Sequence, residues 1–390
     1  MNLTWCKYSG LTPVGPRWAQ WALGAVVVII FAAGLDPKGY RFRNEVAWES
    51  AGPGLRFGRF GRVHTEPFIT AEQAAILNRD GFTLEAALSL TDNPNGGYRF
   101  LASFHAGDDR SQLVVGQWRD QIIVMNGDDY SHRRGLPRIA ADISKFMGGH
   151  ALLTITTGLR GTRIFLNGEE TAAVADLRLT IPAGPRNGRL VIGNSVHADS
   201  PWKGDVFGFA AYSKGLTADQ VSRHDTQWSE RKSFSFGRVE DPFLLYLFDE
   251  GGGHEARDQS GRKAHLEIPT SLVGLDRRAF APISRNIDNK NSFIADVTVN
   301  LLGFIPFGFL LTIILGHSAR SKWKVFLVTI AVGFLLSFVI ELAQAWIPSR
   351  DSSLLDLLMN TAGTALGVAV AMVGSRLFRK PEVALKSPSN

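Results

Sequence analysis

The 390-residue sequence is poor in cysteine and in the residue patterns of familiar catalytic sites. Its single cysteine, Cys6, excludes an intrachain disulfide framework and a zinc site built from cysteines. No lipobox-like run of small residues precedes it, so we expect no lipid attachment there. Charged residues make up only 20% of the chain, too few for a disordered acidic or basic protein. These absences leave a folded chain whose length suggests two or three structural units.

Long apolar runs are what the sequence does contain. Four segments have the length of about 18–25 residues that an α-helix needs to cross a bilayer. They are residues 18–35, 297–316, 323–347 and 354–378. The first run also resembles a signal peptide, because Lys7 and Arg17 precede it, but its length favours an uncleaved anchor. The sequence therefore predicts a multi-domain membrane protein with an α-helical transmembrane bundle at residues 294–378.

Basic residues in the short flanks predict the orientation of the chain, since Lys and Arg accumulate on the cytoplasmic side. The three basic flanks are residues 1–17, 316–324 and 376–390, and Glu382 is the only acid among them. With four spans, all three lie on one side. We expect a cytoplasmic N-terminus at residues 1–17, a cytoplasmic tail at residues 379–390 and an extracytoplasmic segment at residues 36–296. The net charge of +6 then reflects membrane orientation, and nucleic acid is not an expected partner.

Residues 40–283 consist of short alternating apolar runs separated by turns, a pattern typical of β-strands. The candidate strands are residues 82–90, 98–104, 113–115, 121–125, 151–157, 163–166, 189–192 and 205–212. Asn167 and Gly168 follow one of them and predict a tight hairpin turn. This regular strand spacing favours an all-β sandwich over βαβ units.

Three segments resemble the LamG or concanavalin A-like jelly roll: GFTLEAALSL (81–90), RIFLNGEE (163–170) and WKGDVFGFAAYSKGLTADQV (202–221). Residues 245–268 are similar to the segment that normally opens such a domain, yet they follow its closing strand. We therefore expect a circularly permuted sandwich. The alternative is that residues 245–268 begin a second, truncated copy, which about thirty residues could not fold alone.

The sandwich sequence favours carbohydrate binding over catalysis. Glycan hydrolases of this fold need two carboxylates flanking the bond, and no Glu-x-Asp-x-(x)-Glu strand occurs. The adjacent Asp249 and Glu250 would point to opposite faces of a strand. Similar jelly rolls often hold calcium, so calcium is the one cofactor considered. Its candidate ligands, which simple turn formation also explains, are Asp92, Asn93, Asn95, Asp128 and Asp129.

Acids and amides inside a bilayer are costly and indicate a functional site. Each of the last three spans carries one pair at helical spacing: Asp296 with Asn300, Glu341 with Gln344, and Asp356 with Asn360. In the predicted orientation these pairs and Arg350 converge at the outer leaflet. As a ligand site, Arg350 would pair with a phosphate, the amides would bind a polar head, and the acids would orient Arg350 or transfer protons. As a structural network, the same groups would join helices or lie among headgroups.

Small residues and a proline also mark the helices of the bundle. Gly303, Pro306 and Gly308 predict a kink with irregular backbone in the second span. Gly363 and Gly367, four residues apart, predict a close-packing face on the fourth.

DVTVNLLGFIPFGFLL (296–311) and SFVIELAQAWIPSRDSSLLDLLMNTAGTALG (337–367) resemble the VanZ-like membrane family. This family, named for a glycopeptide-antibiotic resistance factor, implies a role in the envelope of a bacterial plasma membrane but no reaction. We expect a glycan-binding outer domain and a bundle that holds a lipid-linked or amphiphilic ligand, with antibiotic or envelope-stress resistance as the associated role. The alternatives are an enzyme acting on a lipid-linked glycan, with Glu341 or Asp356 as general base, and a small transporter or flippase subunit. The lack of a Ser/His pair or metal cluster weighs against the enzyme.

Overall fold

The computed structural model describes residues 16–377, except residues 38, 94–96, 231–240, 277–278, 282–289, 320 and 351. Two compact units make up the chain. Residues 40–276 form the β unit, and residues 1–39 together with residues 277–390 form the helical unit.

The described part of the β unit contains sixteen strands. They are β1 (Val46–Trp48), β2 (Leu55–Phe57), β3 (Val63–Thr65), β4 (Phe82–Leu90), β5 (Arg99–His105), β6 (Leu113–Trp118), β7 (Gln121–Asn126), β8 (Arg138–Asp142), β9 (His150–Gly158), β10 (Gly161–Leu166), β11 (Glu169–Val174), β12 (Arg189–Ile192), β13 (Gly204–Tyr212), β14 (Leu244–Tyr246), β15 (Glu255–Ala256) and β16 (Leu266–Glu267). The first sheet has the order β1-β2-β13-β4-β9-β10-β11, with β14 also paired to β13. The second has the order β15-β16-β3-β12-β5-β6-β7-β8. The predicted all-β sandwich is therefore confirmed.

The core of the β unit lies between the inner faces of the two sheets. Leu84, Ala86 and Leu88 of β4 point into it, as strict alternation along a strand requires. Asn167 and Gly168 have φ of 49° and 76°, so the predicted hairpin turn is also confirmed. Strand β11 follows the predicted hairpin turn but was not predicted from its own residues, because it is largely exposed and carries no alternating apolar residues.

Residues 245–268 complete the same sandwich and do not begin another. β14 pairs with β13 in the first sheet, and β16 pairs with β3 in the second. Both sheets therefore need strands from this segment. The alternative of a second, truncated copy is wrong, and the strand order is that of a permuted sandwich.

Among the described residues, the β unit has two α-helices, α2 (Ala71–Arg79) and α3 (Ala218–Glu230). Thr217 and Gln220 exchange hydrogen bonds between side chain and main chain at the start of α3, which caps this helix. Val221, His224 and Trp228 form the buried face of α3. Val221 and Trp228 pack against residues on the outer side of the first sheet, so that sheet has a covered outer face as well as an inner one.

Four helices form the helical unit: α1 (Arg17–Leu35), α4 (Lys290–Ser318), α5 (Lys322–Gln344) and α6 (Leu354–Leu377). All four are long and apolar enough to cross a membrane. The α4 and α6 backbones approach closely, since a Cβ on Gly363 or Gly367 would lie 2.2 Å from the carbonyl oxygen of Leu301 or Ile305. The predicted close-packing face is confirmed.

Two details of the helical unit differ from the prediction. The α4 backbone is helical from Lys290 to Ser318 with Pro306 inside it, so the expected irregular segment is wrong. A proline removes one main-chain donor, and hydrogen bonds on either side continue the helix. Helix α5 ends at Gln344 and not at residue 347, because the chain enters a tight turn in which Trp346 N–H donates to the Ala343 carbonyl.

Candidate functional site

The connector end of the helical unit, where α1 and α5 end and α6 begins, holds most of the predicted polar residues. Glu341 is only 1% exposed, and its Oε2 accepts the Ser353 N–H at 2.8 Å. The Ser353 hydroxyl in turn accepts the Leu355 N–H at 3.1 Å. These bonds satisfy N–H groups at the start of α6, where a helix has free donors and favours a negative charge. Glu341 therefore stabilises the junction of α5 and α6.

Asn360 lies one turn further along α6 than Asp356, on the same face. Its Nδ2 donates to the Ser337 hydroxyl on α5 at 3.0 Å. Its Oδ1 is buried and has no hydrogen-bond partner in the part of the chain that the structure describes. Ser337, Glu341 and Gln344 share one face of α5 at helical spacing, so a polar stripe on α5 faces one on α6.

Gln344 and Arg350 bind the end of α1. Gln344 Nε2 donates to the Gly34 carbonyl at 2.8 Å, while its Oε1 is buried without a partner among the described residues. Arg350 Nε donates to the Asp36 carbonyl at 2.8 Å, and Nη2 donates to the Ala33 carbonyl. A cation at a helix C-terminus satisfies free carbonyls and complements the helix dipole. The guanidinium thus binds main-chain carbonyls at the end of α1, and its pairing with a phosphate stays a prediction.

The remaining predicted pair lies on α4. Asp296 is exposed and Asn300 is half-buried. The hydrogen bonds of Glu341, Gln344 and Asn360 are made with Ser353, Gly34 and Ser337 and not with this pair. Gly363 of α6 packs against the Leu301 carbonyl of α4, so this part of α4 lies beside the first turns of α6. The structure therefore brings all seven predicted residues to one end of the helical unit, two of them on α4 and five on or beside α5 and α6.

Two of the predicted calcium ligands, Asp128 and Asp129, have carboxylate oxygens that are already bound within the protein. Asp128 pairs with Arg134, and Asp129 accepts the N–H groups of Arg134 and Leu136 at 3.3 and 3.1 Å. Asp92 is exposed, and Asn95 lies outside the described residues. Where side chains are described, no group of three His, Cys, Asp or Glu residues could hold a metal ion. The interpretation of Asp128 and Asp129 as turn formers therefore fits this structure better.

Sequence reasoning missed a cavity of about 620 Å³ on the outer face of the first sheet, here called the outer cavity. Two strands and α3 contribute its polar and aromatic lining. The lining includes three ring-bearing and two acidic side chains, those of His150, Phe207, Trp228, Asp225 and Asp249. The rings of His150 and Phe207 stack with centroids 4.6 Å apart.

A β-bulge in β13 aims Phe207 into this cavity. Val206 pairs with Leu88 and Gly208 pairs with Ala87, so Phe207 is the extra residue between them. Val206 and Phe209 both belong to the inner core, although strict alternation would place them on opposite faces. The bulge resets the alternation and places Phe207 and Gly208 outside. The sequence indicates this bulge in residues 204–212 (GDVFGFAAY), where the alternation of core-facing residues shifts by one position.

A buried carboxylate anchors the floor of the outer cavity. Glu85 is 0% exposed and accepts hydrogen bonds from His224 Nδ1 and Trp228 Nε1, each at 2.8 Å, and from the Tyr212 hydroxyl at 3.3 Å. Three donors offset the cost of burying the charge. Because His224 and Trp228 lie on α3, Glu85 fixes that helix against the sheet.

Two carboxylates line the outer cavity. Burial raises the pKa of Asp225, and the nearby Glu85 carboxylate raises it further. Asp249 is a second carboxylate in the lining, and its Oδ1 accepts the Gln259 side-chain amide at 3.2 Å. None of the lining residues within the described ranges is Lys or Arg. The arrangement can therefore accept hydrogen bonds from a ligand beside an aromatic wall.

Several solved structures are similar to this chain at low identity. A Bacteroides ovatus protein described as carbohydrate binding is 14% identical, with a TM-score of 0.40, over 57% of this chain and 59% of that one. A Trypanosoma rangeli sialidase is 17% identical, with a TM-score of 0.34, over 46% and 28%. A pentraxin from Limulus polyphemus is 11% identical, with a TM-score of 0.30, over 46% and 78%. The chain thus spans less than two thirds of the first two proteins.

Family models match two parts of the chain, whereas no curated protein matches it significantly. Residues 64–222 match the concanavalin A-like lectin/glucanases superfamily. Residues 243–378 match VanZ/LLP1, a match that begins within the β unit at β14. Both resemblances predicted from residue patterns are confirmed, and the chain combines a concanavalin A-like domain with a VanZ-like membrane domain.

Proposed function

We propose that this protein belongs to the bacterial cell envelope and that its β unit binds a carbohydrate in the outer cavity. In this proposal both termini are cytoplasmic and residues 36–296 are extracytoplasmic, where envelope glycans occur. The basic flanks of the apolar segments support this orientation. Alkaline-phosphatase fusions at Ser200 and Ser352 test it: both fusions are expected to be active, and inactive fusions would contradict it.

The observation that carries carbohydrate binding is the composition of the outer cavity. Sugar rings present apolar C–H faces that pack on aromatic side chains, and Phe207 with its stacked His150 offers such a surface. Sugar hydroxyls donate hydrogen bonds, which the Asp225 and Asp249 carboxylates can accept. A concave site with an apolar wall and a few convergent polar groups is typical of small-molecule recognition.

A glycan array probed with the full chain in nanodiscs tests carbohydrate binding. Phe207→Ala is expected to weaken binding of the retained glycan about tenfold, equivalent to about 1.4 kcal/mol, because the ring contact is lost. Trp118→Ala is the matched control, since Trp118 is an exposed aromatic residue on β6 in the other sheet. Retention of no glycan, or an equal loss in both variants, would contradict the proposal.

A second candidate function is headgroup binding at the connector end. The unpartnered buried atoms there, Gln344 Oε1 and Asn360 Oδ1, are both acceptors. The Gly34 carbonyl fixes the orientation of the Gln344 amide, because only Nε2 can donate a hydrogen bond to it. Arg350 donates to α1 carbonyls. These contacts favour an amphiphile whose headgroup donates hydrogen bonds over one recognised by its phosphate.

Lipids that co-purify with the full chain test this second function. We expect native mass spectrometry to show more retained phosphatidylethanolamine than phosphatidylcholine, which lacks N–H donors, and Asn360→Leu to reduce that difference. Equal retention of the two lipids would contradict it. Turnover of a lipid-linked glycan that is lost in Glu341→Gln would instead favour the enzyme alternative.

A further inference from the structure

The outer cavity has a charge that selects among carbohydrates. Its two carboxylates come from separate elements, Asp225 from α3 and Asp249 from the segment after β14. The fully buried Glu85 lies behind them and binds two residues of α3. Asp225 lies beside Gly168 in the turn after β10, whereas Asp249 follows β14 on the far side of β13, so the two carboxylates lie on opposite flanks of the cavity.

The wall between these two flanks is aromatic. Phe207 and His150 stack at 29° between their planes, and Trp228 closes the floor with its ring against Gly208. The indole N–H of Trp228 is used by Glu85, so the ring offers its apolar surface to the cavity. An aromatic face attracts a nearby cation through its quadrupole, in addition to packing on a sugar ring.

We propose that the outer cavity binds an amino sugar with a free ammonium group. This inference rests on the proposed function, because it takes the cavity to be the carbohydrate site. An ammonium donates to the Asp225 carboxylate on one flank, a second ammonium of a longer amino sugar donates to Asp249 on the other, and a sugar ring packs on Phe207 between them. N-acetylation removes both the positive charge and two of the three N–H donors.

The same charges discriminate against other sugars. An acidic sugar would bring a carboxylate towards Asp225 and Asp249 with no Lys or Arg in the described lining to offset the repulsion. A neutral N-acetylated sugar would keep the aromatic contact but leave both carboxylates without a cationic partner. The expected order of affinity is therefore the free amine, then the N-acetylated sugar, then the acidic sugar.

Calorimetric titration of the full chain in nanodiscs tests this order with three oligosaccharides of equal length. The probes are a glucosamine trisaccharide, its fully N-acetylated form and a galacturonic acid trisaccharide, at a mildly acidic pH that keeps the amine protonated. We expect the free amine to bind at least tenfold more tightly than the N-acetylated form. Asp225→Asn and Asp249→Asn are each expected to reduce that preference to below threefold while leaving binding of the N-acetylated form within a factor of three.

Asp219→Asn is the matched control, because Asp219 is an exposed acid in the first turn of the same helix. It is expected to retain the full preference. Equal or tighter binding of the N-acetylated form or of the acidic form would overturn the inference and leave the proposed function intact. Failure of every carbohydrate to bind, on the glycan array as well as here, would overturn the proposed function and the inference together.

Discussion

Gly208 shows how one residue without a side chain shapes the outer cavity. A Cβ at this position would lie 2.2 Å from the Trp228 ring, so the indole occupies the space that any other residue would fill. Gly208 is also part of the bulge that turns Phe207 outward. The aromatic floor and the aromatic wall of the cavity thus depend on two adjacent positions of β13.

Substitution of Gly208 is expected to lower the stability of the β unit. Gly208→Ala should lower the free energy of unfolding of the β unit by about 1–3 kcal/mol, because the methyl group displaces Trp228 from a packed site. Urea unfolding of the wild-type protein and of the Gly208→Ala variant measures this change. Gly52→Ala is the control, since a Cβ there meets nothing within 4 Å. Equal effects of the two substitutions would show that Trp228 does not pack as described.

His64 makes the β unit sensitive to acid. Burial lowers the pKa of its imidazole to about 4, and Arg62 and Arg189 add to this effect. Since the unfolded value is about 6.5, the folded state binds fewer protons between these limits. Its contribution to stability is therefore complete above about pH 6.5 and is lost as the pH falls towards 4, by about 3 kcal/mol in total.

His64→Gln is expected to flatten this pH dependence. The measurement is urea unfolding of the β unit at pH 7 and pH 4.5, where the wild-type protein should lose more stability than the variant. His254→Gln is the control, because that histidine is exposed. An unchanged pH dependence in His64→Gln would contradict the assignment.

At the scale of elements, the α4–α6 contact depends on glycines at regular spacing. Gly363 and Gly367 of α6 meet carbonyls of α4, and Gly308 of α4 meets the Thr364 carbonyl in return. Without water in the bilayer, helices associate through such close packing and through hydrogen bonds. The polar residues of the connector end lie on the same two-helix frame, so their positions depend on this contact.

A larger residue in this contact is expected to separate α4 from α6. Gly363→Leu should destabilise the helical unit by about 3 kcal/mol, because the added atoms overlap with the Leu301 carbonyl. Titration of the purified full chain with SDS, followed by circular dichroism, measures the change. Gly374→Leu on the same helix has open space and should be nearly neutral. Comparable losses in both variants would contradict the packing.

At the scale of the whole molecule, the permuted strand order makes the β unit depend on its last strands. β14 pairs with β13, and β16 pairs with β3. Neither sheet is complete without these strands, the last of which ends at residue 267. The first and last strands of the β unit therefore belong to one cooperative structure.

Truncation tests this dependence. A fragment of residues 40–276 is expected to fold alone, because it has its own core, whereas residues 40–241 should fail to fold. Near-ultraviolet circular dichroism and resistance to protease distinguish the outcomes. A folded, protease-resistant fragment of residues 40–241 would contradict the structural role of β14 to β16.

Local physics made much of this architecture readable from the sequence. Alternation identified strands such as β4 and β9, and the apolar lengths identified four helices, because burial on one face or in lipid dictates composition directly. Gly363 and Gly367 could be recognised as a packing face for the same reason. Strand β11 could not be recognised from its apolar residues, because it is largely exposed and is held in the sheet by its hydrogen bonds to β10.

Arg350 shows where sequence reasoning about the site reached its limit. Its location beside the polar pairs was evident from the sequence, but its hydrogen bonds to α1 join residues more than three hundred positions apart. The outer cavity is likewise assembled from β9, β13, α3 and the segment after β14. By itself the sequence determined the spans, the eight strands with clear apolar alternation and the two family resemblances, since each depends on local pattern. Only the tertiary structure decided which donors are already engaged, which acceptors are not, and where carboxylates and rings meet, because those facts depend on distances between residues remote in the chain.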